Sequence, residues 1–87
     1  MDTRTALIGI IVTDMSQAAG LNSILSSYGE YIIGRMGIPH HKHGKDEIAI
    51  ISVAIEAPQD KISALSGKLG MLKGISAKVM YATGSSV

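Results

Sequence analysis

Two uninterrupted apolar runs constrain the fold of this chain more than any other feature of its sequence. One covers residues 5–13 and the other residues 47–56, and both are built mainly of Ile, Val and Ala. Runs that hardly alternate between polar and apolar residues are typical of strands covered on both faces. The sequence therefore predicts two central strands, one in each half of the chain.

The first run is followed by a helical pattern and then by a weaker strand. Apolar residues at helical spacing predict a helix over residues 16–28, with Gly29 as a left-handed C-cap. Residues 30–38 predict a second strand, which its glycines and the following Pro39 would place at the edge of a sheet. The polar segment 40–46 then predicts a hairpin loop.

The second half of the chain repeats this order. Pro58, at the first helical position, starts a helical pattern that Gly70 closes, and its apolar residues are Ile62, Leu65 and Leu69. Residues 75–83 alternate between apolar and polar side chains, as an edge strand does. Residues 84–87 are expected to form a flexible tail.

Three glycines interrupt these patterns at Gly9, Gly20 and Gly67. Glycine inside a helix or strand costs roughly 0.5–1 kcal/mol relative to Ala. We therefore interpret these positions as places of close approach. A helix or a neighbouring chain would approach Gly9, and the sheet would approach Gly20.

The predicted element order is βαββαβ, with two similar halves. This is the order of the ferredoxin-like split βαβ fold, an α+β fold with a four-stranded antiparallel sheet and two helices on one face. In that fold the first and third strands are central, in agreement with the two apolar runs. We expect a single domain over residues 1–87.

One face of such a sheet is left without a helix, and here it would carry mainly Ile, Val and Ala. Burying an aliphatic side chain of this kind is worth roughly 1.5–3 kcal/mol. The 87-residue chain is 46% hydrophobic, which is more than one small core accommodates. We therefore expect a homo-oligomer, a dimer or a tetramer, that forms through the sheet.

Composition excludes several other classes of protein. The chain has no Cys, and its net charge of +1 comes without a dense basic cluster, so we expect no disulfide and no direct binding of nucleic acid. It has neither a signal peptide nor an apolar run long enough to span a membrane, which favours a cytoplasmic location. No set of residues suited to catalysis or to a cofactor is evident, so we do not expect an enzyme.

Two segments, residues 29–39 and 62–76, resemble the small proteins assigned as regulators of the iron-only hydrogenase system. The likeness extends over residues 7–81. It implies an ACT-like domain, similar also to the C-terminal domain of the nickel regulator, and a role in regulation of transcription or of hydrogenase assembly. The resemblance itself brings no ligand. For an ACT-like domain that forms oligomers, we expect a small-molecule effector at the interface between subunits.

We expect the effector to contact Asp14, Ser16, Glu30, Arg35 and Met36. Asp14 and Ser16 precede the first helix, where the helix dipole favours anions. Arg35 could hold a carboxylate or phosphate at an oligomer interface, or form an ion pair between subunits. Glu30 and Arg35 stand at odd spacing on the second strand, which predicts that they point to opposite faces.

Two alternatives remain open. The domain could be a structural or protein-interaction module without a ligand. It could also be a Ni or Zn sensor that uses His40, His41 and His43, since residues two apart on an extended segment point the same way. The corresponding connection in the family is shorter and poorer in His, so the resemblance gives these three residues no role.

Overall fold

Four strands and two helices follow one another in the order βαββαβ. The computed structural model describes residues 2–83, except the side chains of Pro39, His40 and His43. The predicted tail over residues 84–87 lies outside this range. The strands are β1 (Arg4–Val12), β2 (Ile32–His43), β3 (Asp46–Ala57) and β4 (Ile75–Tyr81), and the helices are α1 (Ala18–Ser27) and α2 (Gln59–Gly70).

The strands form one antiparallel sheet in the order β2-β3-β1-β4. The two uninterrupted apolar runs are thus the central strands, and the two weaker patterns lie at the edges. This arrangement confirms the ferredoxin-like fold that the element order predicts.

Both helices pack on the same face of the sheet, and the core lies between them and the strands. On β1 the buried residues are Ala6, Ile8, Ile10 and Val12, and the residues between them are exposed. The helices contribute Leu21 and Leu25 from α1, and Ile62, Leu65 and Leu69 from α2. The period of two along β1 and the helical spacing on α2 therefore direct these side chains into a single layer.

The connection between β2 and β3 is shorter than the sequence predicts. Strand β2 continues to His43, so the predicted loop 40–46 is wrong apart from a tight turn at Gly44 and Lys45. Gly44 has φ +65°, which a non-glycine residue rarely adopts. The polar residues of this segment form a ladder with β3, which satisfies their backbone groups without a hydrophobic face. The register shifts between Ile38 and His41, around Pro39, which has no N–H to donate.

The end of α1 also differs from the prediction. Gly29 is not a left-handed cap, because within residues 2–83 only Gly44 and Gly74 have positive φ. Instead the chain enters a short 3-10 turn over Gly29–Tyr31 before β2 begins at Ile32. Glu30 therefore lies in this turn and not on β2. The interpretation that places it opposite Arg35 on one strand is wrong.

Gly20, Gly67 and Pro58 also differ from what the sequence predicts. A Cβ on Gly20 would touch only Leu72, at 3.7 Å, and one on Gly67 would meet nothing within 4 Å. Neither glycine is therefore explained by close packing on the sheet. Pro58 is the N-cap residue of α2, so the helix begins at Gln59, one position after the predicted start. No helix within residues 2–83 is long and apolar enough to cross a membrane.

Candidate functional site

The face of the sheet away from the helices, here called the open face, carries three rows of side chains. Partners in register lie on the same face of a sheet. The open face is therefore defined by the rows Ile38–Ile50–Ile11–Ser76, Met36–Ser52–Gly9–Lys78 and Gly34–Ala54–Leu7–Met80.

The open face is apolar and largely exposed in a single protomer. Its large hydrophobic side chains are exposed to 40% (Leu7), 44% (Ile11), 57% (Ile38), 65% (Met80) and 77% (Met36). Lys78 is the one charged residue in the three rows. A contiguous apolar patch of this kind on a small protein marks an interaction surface.

A hollow of about 270 Å³ lies at the centre of the open face. Gly9 has no side chain to fill it, and a Cβ placed there would meet nothing within 4 Å. Ile11 and Ile50 line the hollow with apolar atoms, and Ser52 and Lys78 also border it. The surface is thus concave where two polar side chains face each other across a glycine.

Met36 and Arg35 are neighbours on the edge strand β2 but belong to different faces. Met36 is in the middle row of the open face, across from Ser52. Arg35 is on the helix side, where its Nη2 donates to Oδ1 of Asn22 on α1 at 3.2 Å. The guanidinium is therefore held near α1, and it remains exposed.

Asp14 and Ser16 are in contact at the end of the sheet where β1 stops. The backbone N and the Oγ of Ser16 both donate to Oδ1 of Asp14, at 3.1 and 2.6 Å. Next to them, the backbone N and the Oγ1 of Thr13 donate to the carbonyl O of Gly74, at 2.7 and 2.9 Å. Asp14 thus caps the short 3-10 turn Met15–Gln17, as expected of one of these two residues.

The five predicted effector contacts do not form one cluster within a protomer. Asp14 and Ser16 lie where β1 ends, whereas Glu30 follows α1 at the opposite end of the sheet. Arg35 and Met36 lie between these ends, on opposite faces. A single effector could contact all five only across an assembly of several chains.

Hydrogen bonds lower the pKa of Asp14 below its ordinary value of 3.8. The side-chain hydrogen bond from Ser16 contributes most, the backbone hydrogen bond from Ser16 comes next, and the charge of Lys73 adds a smaller effect. Since the folded pKa is depressed, the ionised carboxylate stabilises the fold above the unfolded pKa. This contribution disappears as the pH falls through the folded pKa.

Asp14→Asn should therefore change how stability depends on pH. Asn keeps an oxygen that can accept from Ser16 but does not titrate. Between about pH 7 and about pH 2.5, urea unfolding should show a larger loss of stability for the unsubstituted protein than for Asp14→Asn. The other carboxylates are common to both proteins and cancel in the comparison. Equal losses would show that the Ser16 hydrogen bonds do not favour the ionised carboxylate.

The histidines of the β2–β3 hairpin are only partly described. The His41 side chain is exposed, and its residue pairs with Ile48. No group of three or more His, Cys, Asp or Glu side chains that could hold a metal ion occurs among the described residues. The side chains of His40 and His43 lie outside that description, so the alternative of a metal site that uses His41 and His43 stays a prediction.

Sequence reasoning missed the central hollow. Gly9 and Ser52 each interrupt an apolar run, and Lys78 is a charged position of the alternating strand; these were the available signals. The three residues lie side by side because Gly9 pairs with both Ser52 and Lys78. These pairs depend on the register of β1 with β3 and β4, which cannot be predicted from the sequences of the three strands taken separately.

Solved structures with this fold include ACT and PII-like domains. The ACT domain from the GTP pyrophosphokinase of Chlorobium tepidum has a TM-score of 0.65 and 21% identity, over 97% of this chain and 91% of that chain. CPII from Thiomonas intermedia K12, a nitrogen regulatory PII-like protein solved with ADP, AMP and acetate, has a TM-score of 0.60 and 11% identity, over 97% and 94%. The fold and the open face therefore define the class as ferredoxin-like, ACT-like domains.

A family model assigns the chain more narrowly. The model of the TM1266-like family, proposed regulators of the iron-only hydrogenase system, matches residues 4–79, and the chain belongs to this family. The structure of TM1266 from Thermotoga maritima has a TM-score of 0.81 and 30% identity, over 94% of this chain and 100% of that chain. None of the curated proteins matches the sequence. The match confirms the resemblance noted above, and a family of regulators points to a non-enzymatic role.

Proposed function

We propose that this protein is a regulatory domain of the iron-only hydrogenase system that senses a small effector as a homo-oligomer. The oligomer, a dimer or a tetramer, assembles through the open face. The domain has no DNA-binding motif of its own and no catalytic activity. The observation that carries this proposal is the open face itself, with its five exposed large hydrophobic side chains.

A second copy of the same chain is the occupant that suits this face best. The face spans four strands and seven residues of β4, or roughly 19 by 23 Å. The outline of about 440 Å² is roughly half of the ~800 Å² that each partner of a standard interface buries, and the relief of the side chains adds to it. A two-fold axis would bring two nearly uncharged apolar faces together, and neither copy would need a complementary surface elsewhere.

The effector part of the proposal is supported by the family and by one related fold. CPII, which shares the fold, was solved with ADP, AMP and acetate bound. In the oligomer we place the effector near the interface, with Asp14, Ser16, Glu30, Arg35 and Met36 as contact residues drawn from more than one chain. Met36 would be covered by the partner, and Arg35 would remain at the rim on the edge strand.

Ile11→Lys tests the assembly directly. Ile11 is on a central strand of the open face, diagonal to Lys78, and a second ammonium group covered there without a carboxylate partner is strongly unfavourable. In sedimentation velocity at micromolar concentration, we expect the unsubstituted protein to have at least twice the 9.1 kDa of one chain and Ile11→Lys to be a monomer.

Met71→Lys is the matched control for this experiment. Met71 is 85% exposed and follows α2, outside the open face, so its substitution should leave the oligomer unchanged. A folded, soluble monomer of the unsubstituted protein at micromolar concentration would refute the proposal. Dissociation by both substitutions alike would place the interface elsewhere.

A thermal-shift series with ADP and AMP tests the sensing role. A ligand at a hundred times its dissociation constant adds about 2.7 kcal/mol to the free energy of unfolding. Arg35→Met, compared with Lys61→Met on the outer side of α2, should reduce any shift seen. An oligomer that responds to no small molecule would instead favour a structural or protein-interaction module.

A further inference from the structure

Three polar side chains converge on the hollow at the centre of the open face. Gly9 provides the floor, Ser52 faces it from β3, and Lys78 faces it from β4. Ser76 lines the same hollow one row away. Three polar residues therefore border a hollow whose lining is mainly apolar.

Among the residues that the structure describes, none supplies a counter-charge to Lys78 within its own protomer. Its ammonium group makes no hydrogen bond or ion pair with any residue in the described range 2–83. The nearest carboxylates on this side of β3 are Glu56 and Asp46, which lie about 13 and 20 Å along the strand from Ser52. Glu56 already accepts a hydrogen bond from Thr3 Oγ1 at 3.2 Å.

Covering the open face would make this isolated charge expensive. An ammonium group removed from water without a partner is destabilising, and the penalty in proteins amounts to several kcal/mol. A symmetric interface contains each side chain twice, so two lysines would be covered. The three rows of the partner contain no carboxylate that could compensate them.

We propose that the central hollow binds a small oxyanion, a carboxylate or a phosphate group, which serves as the counter-charge of Lys78 when two open faces associate. This inference rests on the proposed assembly through that face. The ammonium group of Lys78 supplies the charge, and the hydroxyl groups of Ser52 and Ser76 supply hydrogen-bond donors. Apolar walls exclude water, which strengthens charge-assisted hydrogen bonds to the anion.

The size of the hollow restricts the ligand to a compact anion. Its volume of about 270 Å³ in one protomer is just below the ~300–1,000 Å³ of ordinary small-molecule sites. The anion and the assembly should then support each other. A ligand that binds only the assembled form shifts the equilibrium towards that form.

Lys78→Met tests this site, with Lys61→Met as the control. Methionine keeps an unbranched side chain but has neither charge nor donor, and Lys61 lies exposed on the first turn of α2. The probes are acetate and inorganic phosphate, measured by isothermal titration calorimetry and by sedimentation in Tris chloride. We expect at least one probe to bind the unsubstituted protein and Lys61→Met alike and to increase their association. Lys78→Met should bind it at least tenfold more weakly and, without any anion, should associate more strongly than the unsubstituted protein, because no unpaired ammonium group is covered.

The outcomes separate this inference from the proposed function. If the chain is an oligomer but neither probe binds, or if Lys78→Met binds as well as the control, the anion site is wrong and the assembly stands. If Lys78→Met weakens association in the absence of anions, Lys78 pairs with a carboxylate of the partner, and the site is also wrong. If the chain is monomeric with and without the probes, both the assembly and the site are refuted.

Discussion

Replacing Leu65 by Ala is expected to lower the free energy of unfolding by about 2–5 kcal/mol. Leu65 is fully buried at the centre of α2, in the core between the helices and the sheet. Truncation removes its burial and leaves a cavity that neighbouring side chains fill only partly. A chain of 87 residues has a total stability of roughly 4–13 kcal/mol, so much of it would be lost.

Urea denaturation at one fixed protein concentration measures this loss, because association would make stability depend on concentration. Met71→Ala is the control, since Met71 is 85% exposed, and it should change stability by no more than about 0.5 kcal/mol. Leu65→Met, which nearly conserves volume, should cost less than about 1.5 kcal/mol. If Leu65→Ala and Met71→Ala proved equally stable, the core would not be packed around α2.

Gly74→Ala should be damaging for a different reason, with an expected cost of about 2–5 kcal/mol. Gly74 has φ +75°, a conformation that costs an L-residue roughly 1–2 kcal/mol. In addition, a Cβ at this position would lie 2.5 Å from Cβ of Asp14 and 3.0 Å from its backbone N. Relieving such a clash typically adds about 1–3 kcal/mol.

Gly44→Ala separates the two contributions. Gly44 has a similar φ of +65°, but a Cβ there would meet nothing within 4 Å. It should therefore carry only the conformational cost, and the difference between the two variants measures the contact with Asp14. Equal destabilisation by urea in both variants would mean that the loop around Asp14 yields without cost.

The fold could be predicted from the sequence because several independent patterns agree. The apolar runs identify the central strands β1 and β3, and helical spacing identifies the buried residues of α2. The secondary-structure prediction was wrong at two places where the residues are compatible with two backbone conformations. The polar residues 40–43 are compatible with a loop or with a strand whose partner satisfies the backbone. Gly29 can end a helix in a left-handed conformation or continue into a 3-10 turn.

The candidate site was less predictable than the fold. The open face follows from the element order, since two helices on one side leave the other side bare. The central hollow does not, because a shift of one residue in register would move Ser52 or Lys78 to the helix side. Asp14 and Ser16 were recognisable from capping chemistry alone. The position of Glu30 was not, because it depended on where β2 begins.

The β2–β3 hairpin extends past the end of β1, whose last residue Val12 pairs with Ala49. Beyond that point the two strands pair only with each other and join through the two-residue turn at Gly44. Insertions or deletions of two residues in each arm would preserve both the remaining pairs and the faces of their side chains. A single residue added to one arm would instead stay unpaired as a bulge or shift the register. The length of the hairpin beyond β1 can therefore change by equal numbers of residues in β2 and β3 without any change in the sheet and helices that form the core.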